Sequence, residues 1–199
     1  MKHLVLSYPG DPEVLAEQEC YYNLPLRFES FMPITSLREC QKSYEPLQGH
    51  WESSLIPNNV NTDYVSLALE RTIHAKRDIA HVPSYFLTIE HQQEAVGYIE
   101  LRVGYTEKTY YGGNISCEIN GELDNFNEII SRACRLLIPL AKYHRMTCLC
   151  LSSKREEEEF MPLFESLGAE YRRTISLPGN LDIAKGDVKY RKIAFWNVP

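Results

Sequence analysis

The chain has 199 residues, 44% of them hydrophobic and 24% charged, with a net charge of −6. That balance suits an ordinary globular protein able to bury a core, and its acidic sign argues against nucleic acid, whose phosphates call for a basic face. No apolar run approaches the ~18 residues of a membrane span, and the apolar stretch after Met1 is too short for a signal peptide, so a cytoplasmic protein that binds neither nucleic acid nor membrane is expected.

His3 to Tyr8 form a short β-rich run that Pro9, Gly10 and Asp11 end. Asp11 followed by Pro12 is the cap-then-proline order of a helix start and predicts a helix to about Asn23. Leu24 to Pro33 read as irregular. Ser36 with Glu39 is a capping-box pattern and predicts a second helix ending near Tyr44. Pro46 to Asn61, with Gly49, Pro57 and the pair Asn58-Asn59, reads as loop. Val65, Ala68, Leu69 and Ile73 fall at helical spacings and predict a third helix after Thr62.

The pattern changes at Pro83. "SYFLTIEH" predicts a strand, "QQE" a turn and "AVGYIELRVGY" a longer strand; "TEKTYYGG" then leads into a further strand, "NISCEIN". Connections this short make an antiparallel meander. Phe126, Ile129, Ile130, Ala133, Leu137, Leu140 and Ala141 form a wide apolar stripe on a long helix, which Pro139 is expected to kink. "TCLCLSS" is the next strand, placed parallel to "NISCEIN" because a helix separates them. Ser153 with Glu156 predicts the cap of another helix, closed by Gly168. "EYRRTISLP" and "VKYRKIAFWNV" predict a final strand pair joined by a polar loop. Six cysteines, at 20, 40, 117, 134, 148 and 150, match no zinc spacing and include no C-x-x-C; they read as reduced core residues acting as small hydrophobes. No metal site is expected.

This order of elements and three stretches of sequence resemble the GNAT superfamily of acetyl-CoA-dependent N-acetyltransferases. "SYFLTIEHQQEAVGYIELRVGYTEKTYYGGNISCEIN" is similar to the family's central meander, "IISRACRLLIPLAKYHRMTCLCLS" to the helix and fifth strand after its cofactor loop, and "FESLGAEY" to the close of the next helix. The resemblance covers Ser84 to Tyr171 and extends beyond it by element order alone. It implies an α+β fold of GNAT type: a mixed, mostly antiparallel sheet splayed between its fourth and fifth strands, with helices on both faces. Residues 1–199 would form a single domain. In it, 1–83 supply a helical substrate-side region with the first strand, and 84–199 the meander, the cofactor-loop helix and the C-terminal strands. The pantetheine arm of acetyl-CoA would lie in the split, bonded to main chain near Cys117 and Ile119, with the pyrophosphate on backbone N–H groups at Asn125, Phe126 and Asn127. The acceptor would be a small-molecule or peptide amine, and the protein a monomer or homodimer.

The sequence departs from the family at the loop. The family pattern is (Arg or Gln)-x-x-Gly-x-(Gly or Ala), whose glycines let backbone close on phosphate at a helix N-terminus. From Asp124 onward there is no glycine, no arginine precedes, and Glu122, Asp124 and Glu128 are acidic. Asn125 and Glu128 are spaced to form a capping box that would satisfy the helix N–H groups from within. In the next helix the tyrosine that can protonate the leaving thiolate is replaced by Phe164, with Phe160 and Glu157 where serine and asparagine would stand. Catalysis would fall to a carboxylate able to take the amine's proton. Alternation places Tyr98, Glu100 and Arg102 on one face of their strand and Ser116, Glu118 and Asn120 on one face of theirs. Glu100 and Glu118 are therefore expected to approach across the sheet, either as a source of a general base, with Glu118 preferred, or as a pair satisfied by Arg102. "KREEEEF" reads as a solvated acidic helix start or an attractor of cationic substrate, and "YYNLPLRF" as acceptor-pocket lining or packing. Two functions remain open: an acetyltransferase with a degenerate cofactor loop, and a non-catalytic ligand-sensing or interaction protein of the same fold.

Overall fold

A computed structural model of the chain describes residues 6–24, 65–73, 82–121, 125–154, 157, 160–179 and 190–199. In chain order these form β1 (Leu6–Ser7), α1 (Pro12–Tyr22), β2 (Val65–Ile73), β3 (Ser84–His91), β4 (Glu94–Arg102), α2 (Glu107–Gly112), β5 (Ile115–Ile119), α3 (Phe126–Leu136), α4 (Ile138–Tyr143), β6 (Cys148–Lys154), α5 (Phe160–Leu167), β7 (Glu170–Ser176) and β8 (Tyr190–Asn197). The predicted helix between Ser36 and Tyr44, the loop from Pro46 to Asn61, most of "YYNLPLRF" and the acidic residues Glu122, Asp124, Glu156, Glu158 and Glu159 lie outside the described residues.

The strands make two four-stranded sheets, β2-β3-β4-β5 and β1-β7-β8-β6. The first is wholly antiparallel. The second is antiparallel except where β1 joins β7 in parallel, Leu6 opposite Thr174. The fold is thus mixed α and β with mostly antiparallel sheets. No described helix is long and apolar enough to cross a membrane.

The helix predicted after Thr62 is strand β2 instead. Val65, Leu67 and Leu69 also alternate, and this period prevails because nearly every residue from Val65 to Ile73 finds a partner along β3, from Val65 opposite His91 to Ile73 opposite Ser84. Val65, Leu67 and Leu69 then pack on the core, so pairing and burial together override the helical spacing. The turn between β3 and β4 is where "QQE" predicted it, with Gln92 and Gln93 at φ +52 and +69. The meander encloses a helix the sequence reading did not foresee, α2, whose Thr106 and Thr109 form a reciprocal capping box.

The long helix breaks before Pro139. Leu137 separates α3 from α4, and Pro139 takes an early position of α4, where its missing N–H costs nothing. At α1, Asp11 stands at the N-cap but its side chain makes no cap bond; its carboxylate accepts the N–H of Tyr8 at 2.8 Å. The Ser153 cap is not formed either. Ser153 belongs to β6, where it is buried and its Oγ has no hydrogen-bond partner.

Tyr85, Leu87, Ile89, Ile99 and Leu101 on one face of the first sheet are fully buried, as are Ile130 and Ala133 of α3 and Leu137 after it. The cysteines at 134, 148 and 150 are buried and unpaired. Burial raises each thiol, Cys148 to about 11. His144, 1% exposed, sits with Nε2 2.7 Å from the Tyr85 hydroxyl, and burial lowers its pKa to about 4. Because that value lies below the ~6.5 of an unfolded histidine, protonation favours the unfolded chain. Stability from this group is intact above about pH 6.5 and is lost as pH falls toward about 4. Between pH 7 and about pH 5 the loss amounts to ~2 kcal/mol. Urea unfolding of the wild type and of His144→Gln, which cannot titrate, should diverge by that amount. Equal losses in both would remove His144 as the cause.

Candidate functional site

β5 and β6 are the edge strands of their sheets, and they face each other. The register decides what the β5 edge offers. Arg102 N–H donates to Asn114 O at 2.7 Å and Asn120 N–H to Val96 O at 2.8 Å. In an antiparallel ladder the bonded pairs alternate, so Ser116, Glu118 and Asn120 turn their main-chain groups toward β4, as Asn114 does with its C=O alone. Ile115, Cys117 and Ile119 turn theirs outward, toward β6. β6 pairs with β8 and not with β5, and it meets the β5 side at one end, as a sheet splayed between these two strands requires.

That junction is Asn114, which is fully buried. Its main-chain N–H donates to Cys150 O at 2.7 Å, and Cys150 N–H donates back to Asn114 Oδ1 at 2.8 Å. The Tyr21 hydroxyl of α1 donates to the same Oδ1 at 2.8 Å. Asn114 Nδ2 donates to the carbonyls of Arg102 at 3.0 Å and Gly104 at 2.8 Å. Gly113 brings the chain into this junction at φ +81, where a Cβ would meet Ile115 O at 3.0 Å and Ser152 N at 3.2 Å; both the backbone angle and the close approach favour glycine. Beyond the junction the two edges part.

The parting opens a cavity of about 780 Å³, within the range of small-molecule sites. By strand pairing, Ser84, Glu100, Arg102 and Ser116 share one face of the first sheet and Cys117 lies on the other. The lining therefore divides into an apolar end, with Cys117, Ile130, Cys134, Phe160, Leu163 and Phe164 from β5, α3 and α5, and a polar end, with Ser84, Glu100, Arg102, Ser116 and Arg191, which lies near Arg102. Phe126 extends the apolar end, its ring 6.0 Å from that of Phe160 and edge-on to it. Burial, with a smaller contribution from Glu157, pushes the Cys117 thiol up to about 12, so it stays protonated and is no nucleophile.

The carboxylates do not meet as the sequence reading expected. Glu118 stands opposite Tyr98, and Glu100 opposite Ser116. Glu118 is exposed, accepts a hydrogen bond from the Tyr98 hydroxyl and does not line the cavity. Glu100 lines it and pairs with Arg102 at 2.6 Å, its side chain 12% exposed. Arg102 therefore satisfies one carboxylate, not both; its other donors reach the carbonyls of Gly112 and Gly113 at 3.0 and 3.2 Å.

At the start of α3 the capping box is absent. Asn125 is the N-cap residue and makes no side-chain cap bond. Glu128 instead pairs with Arg132, four residues on, a spacing that draws it along the helix face. Asn127 is exposed, and Ile119 packs against Gly97. Glu157 turns back, accepting the N–H of Lys154 at 2.9 Å and pairing with its Nζ at 3.3 Å. The sequence reading missed Arg191, Lys108 and the junction at Asn114. No local pattern marks them, since each acquires its place from partners far along the chain.

No family model matches the chain, and no curated protein matches it in sequence. Solved structures similar to it include the microcin C7 self-immunity acetyltransferase MccE in complex with acetyl-CoA and AMP, at 11% identity and TM-score 0.45, over 58% of this chain and 61% of that one. Another is an acetyltransferase from Salmonella typhimurium that modifies the N-terminal serine of ribosomal protein L7/L12, at 10% identity and TM-score 0.45, over 58% and 64%. A third, a putative acetyltransferase from Sphaerobacter thermophilus, is similar at 13% identity and TM-score 0.41, over 70% and 96%. The chain spans less than two thirds of the length of the first two.

Proposed function

We propose that the chain is a GNAT-type protein that binds an acyl-CoA in the split between β5 and β6 and transfers the acyl group to an amine. The observation that carries this reading is the cavity between two edge strands joined at one end. Outward-facing N–H and C=O groups of Cys117 and Ile119 suit an amide-bearing pantetheine arm, which adds to a sheet edge as a peptide does. Asn125 makes no side-chain cap bond at the start of α3, where helix N–H groups and dipole suit an anion. The bound thioester would supply an activated acyl carbon. Glu100, lining the polar end, is the residue of this chain placed to take the proton the amine loses. Arg102 holds Glu100 in place, and Phe160 and Phe164 keep water from the apolar end.

A second reading, ligand binding without turnover, is favoured by Phe164, which has no proton to give a leaving thiolate. Calorimetric titration with acetyl-CoA, followed by thiol release with a panel of amines, separates the readings. Micromolar affinity that Cys117→Trp abolishes, with turnover that falls at least ~100-fold in Glu100→Gln, is the expected result. Binding without thiol release would establish the second reading. No binding up to millimolar ligand would end both.

A further inference from the structure

We propose that the amine taken by the polar end of the cavity also carries an anionic group, a carboxylate or a phosphate, which Arg191 binds. This rests on the acyl-transfer reading for the word amine, and on the cavity itself for the anion.

Four basic residues, Arg102, Lys108, Lys154 and Arg191, line the cavity against two acidic ones, Glu100 and Glu157, among the described residues. The chain as a whole carries −6, so this end opposes the sign of the molecule. Both acids are already committed, Glu100 to Arg102 at 2.6 Å and Glu157 to Lys154 at 3.3 Å. Arg191 shares in neither pair. Its Nε is buried with no hydrogen-bond partner, although a guanidinium presents five donors in a fixed fork. Burial depresses its pKa, Glu157 opposes that, and the nearby Arg102 adds to it. A half-buried guanidinium whose Nε–H is buried and unpaired bears a desolvation cost, and a carboxylate or phosphate accepting from two of its donors offsets that cost.

The side of the sheet on which Arg191 lies argues for the acceptor rather than for the phosphates of a coenzyme. Arg191, Ile193 and Phe195 share one face of β8 by alternation. Phe195 stacks on Tyr21 of α1 at 5.6 Å and meets Tyr110 of α2 at 6.2 Å. That is the side of α1 and α2, whereas the helix start suited to phosphates belongs to α3. Glu100 lines the same cavity, so one ligand would present an amine to the carboxylate and an anion to the guanidinium.

The test is calorimetric titration of the full chain with matched amines: glycine, β-alanine, γ-aminobutyrate and phosphoethanolamine, against glycinamide, β-alaninamide, γ-aminobutyramide and ethanolamine. The expected result is that at least one anionic member binds about tenfold or more tightly than its neutral counterpart, the margin of a charge-assisted bond. The carboxylates and phosphoethanolamine tell the two anions apart. In Arg191→Met the preference should fall to within about twofold, with the unliganded melting temperature no lower than that of the wild type, and Arg191→Lys should keep part of it. Equal binding of neutral and anionic members, no binding by any of them, or a preference unchanged in Arg191→Met would overturn the proposal. Acetyl-CoA is titrated separately into the same proteins. An anion preference through Arg191 without acetyl-CoA binding would sink the transferase reading and leave the anion site standing; acetyl-CoA binding without the preference would do the reverse.

Discussion

Replacing Asn114 by alanine is expected to destabilise the chain by about 3–5 kcal/mol, the range for breaking a buried polar network. The side chain is fully buried and all four of its hydrogen-bonding positions are filled, by Tyr21, Cys150, Arg102 and Gly104. Alanine would strand the N–H of Cys150 in the interior and weaken the hold on α1. Leaving such groups unpaired costs more than the bonds are worth when made. Aspartate would keep the acceptor but turn a carboxylate oxygen toward the carbonyls of Arg102 and Gly104, so it should be no better at pH 7. Urea unfolding measures the difference, and a loss below ~1 kcal/mol for alanine would mean that the sheets are held together elsewhere. Because the same residue sets where the two edges begin to part, any ligand that binds between them should lose affinity in Asn114→Ala under conditions where the protein is still folded.

The second large effect is expected at Gly97. A Cβ built there would lie 2.2 Å from the carbonyl oxygen of Glu118 and 2.9 Å from Cα of Ile119. These are backbone atoms of β5 and cannot swing aside, so even alanine must push β5 away from β4. The cost is that of overpacking plus a disturbed ladder, about 2–4 kcal/mol. Valine should be worse than alanine. Since β5 carries Cys117 and the outward-facing main chain, the displacement should also narrow the cavity. Denaturant unfolding reads the first effect and ligand titration the second. An alanine variant within ~0.5 kcal/mol of wild type would show that β5 shifts freely.

The meander was legible because β3 and β4 alternate and the turn between them is short. The helix stripe from Phe126 was legible for the same reason: its period matches its burial. Residues 65–73 satisfy two periods at once, and only the partner strand decides between them. α2 is too short to show a period, and its signal, Thr106 with Thr109, departs from the usual acidic capping box. The site was read less well than the fold. Glu100 and Glu118 share a face as alternation requires, yet a shift of two residues in register sends one into the cavity and the other to solvent. Glu128 had two suitable partners within four residues, and Arg132 took it. Arg191 and Arg102 lie in different sheets, so their proximity is a property of the assembled fold.

α1 leaves the ribosome well before anything it rests on. The Tyr21 hydroxyl meets Asn114, 93 residues further along. Glu17 of the same helix pairs with Arg172 and Arg173, the latter 156 residues away. Phe195, on which Tyr21 stacks, comes later still. α1 is therefore made well before the residues that seat it. The wall of the cavity that α1 braces, through Tyr21 and Asn114, cannot take its final form until β8 has been synthesised, so the site forms only after elements far apart in the chain have met.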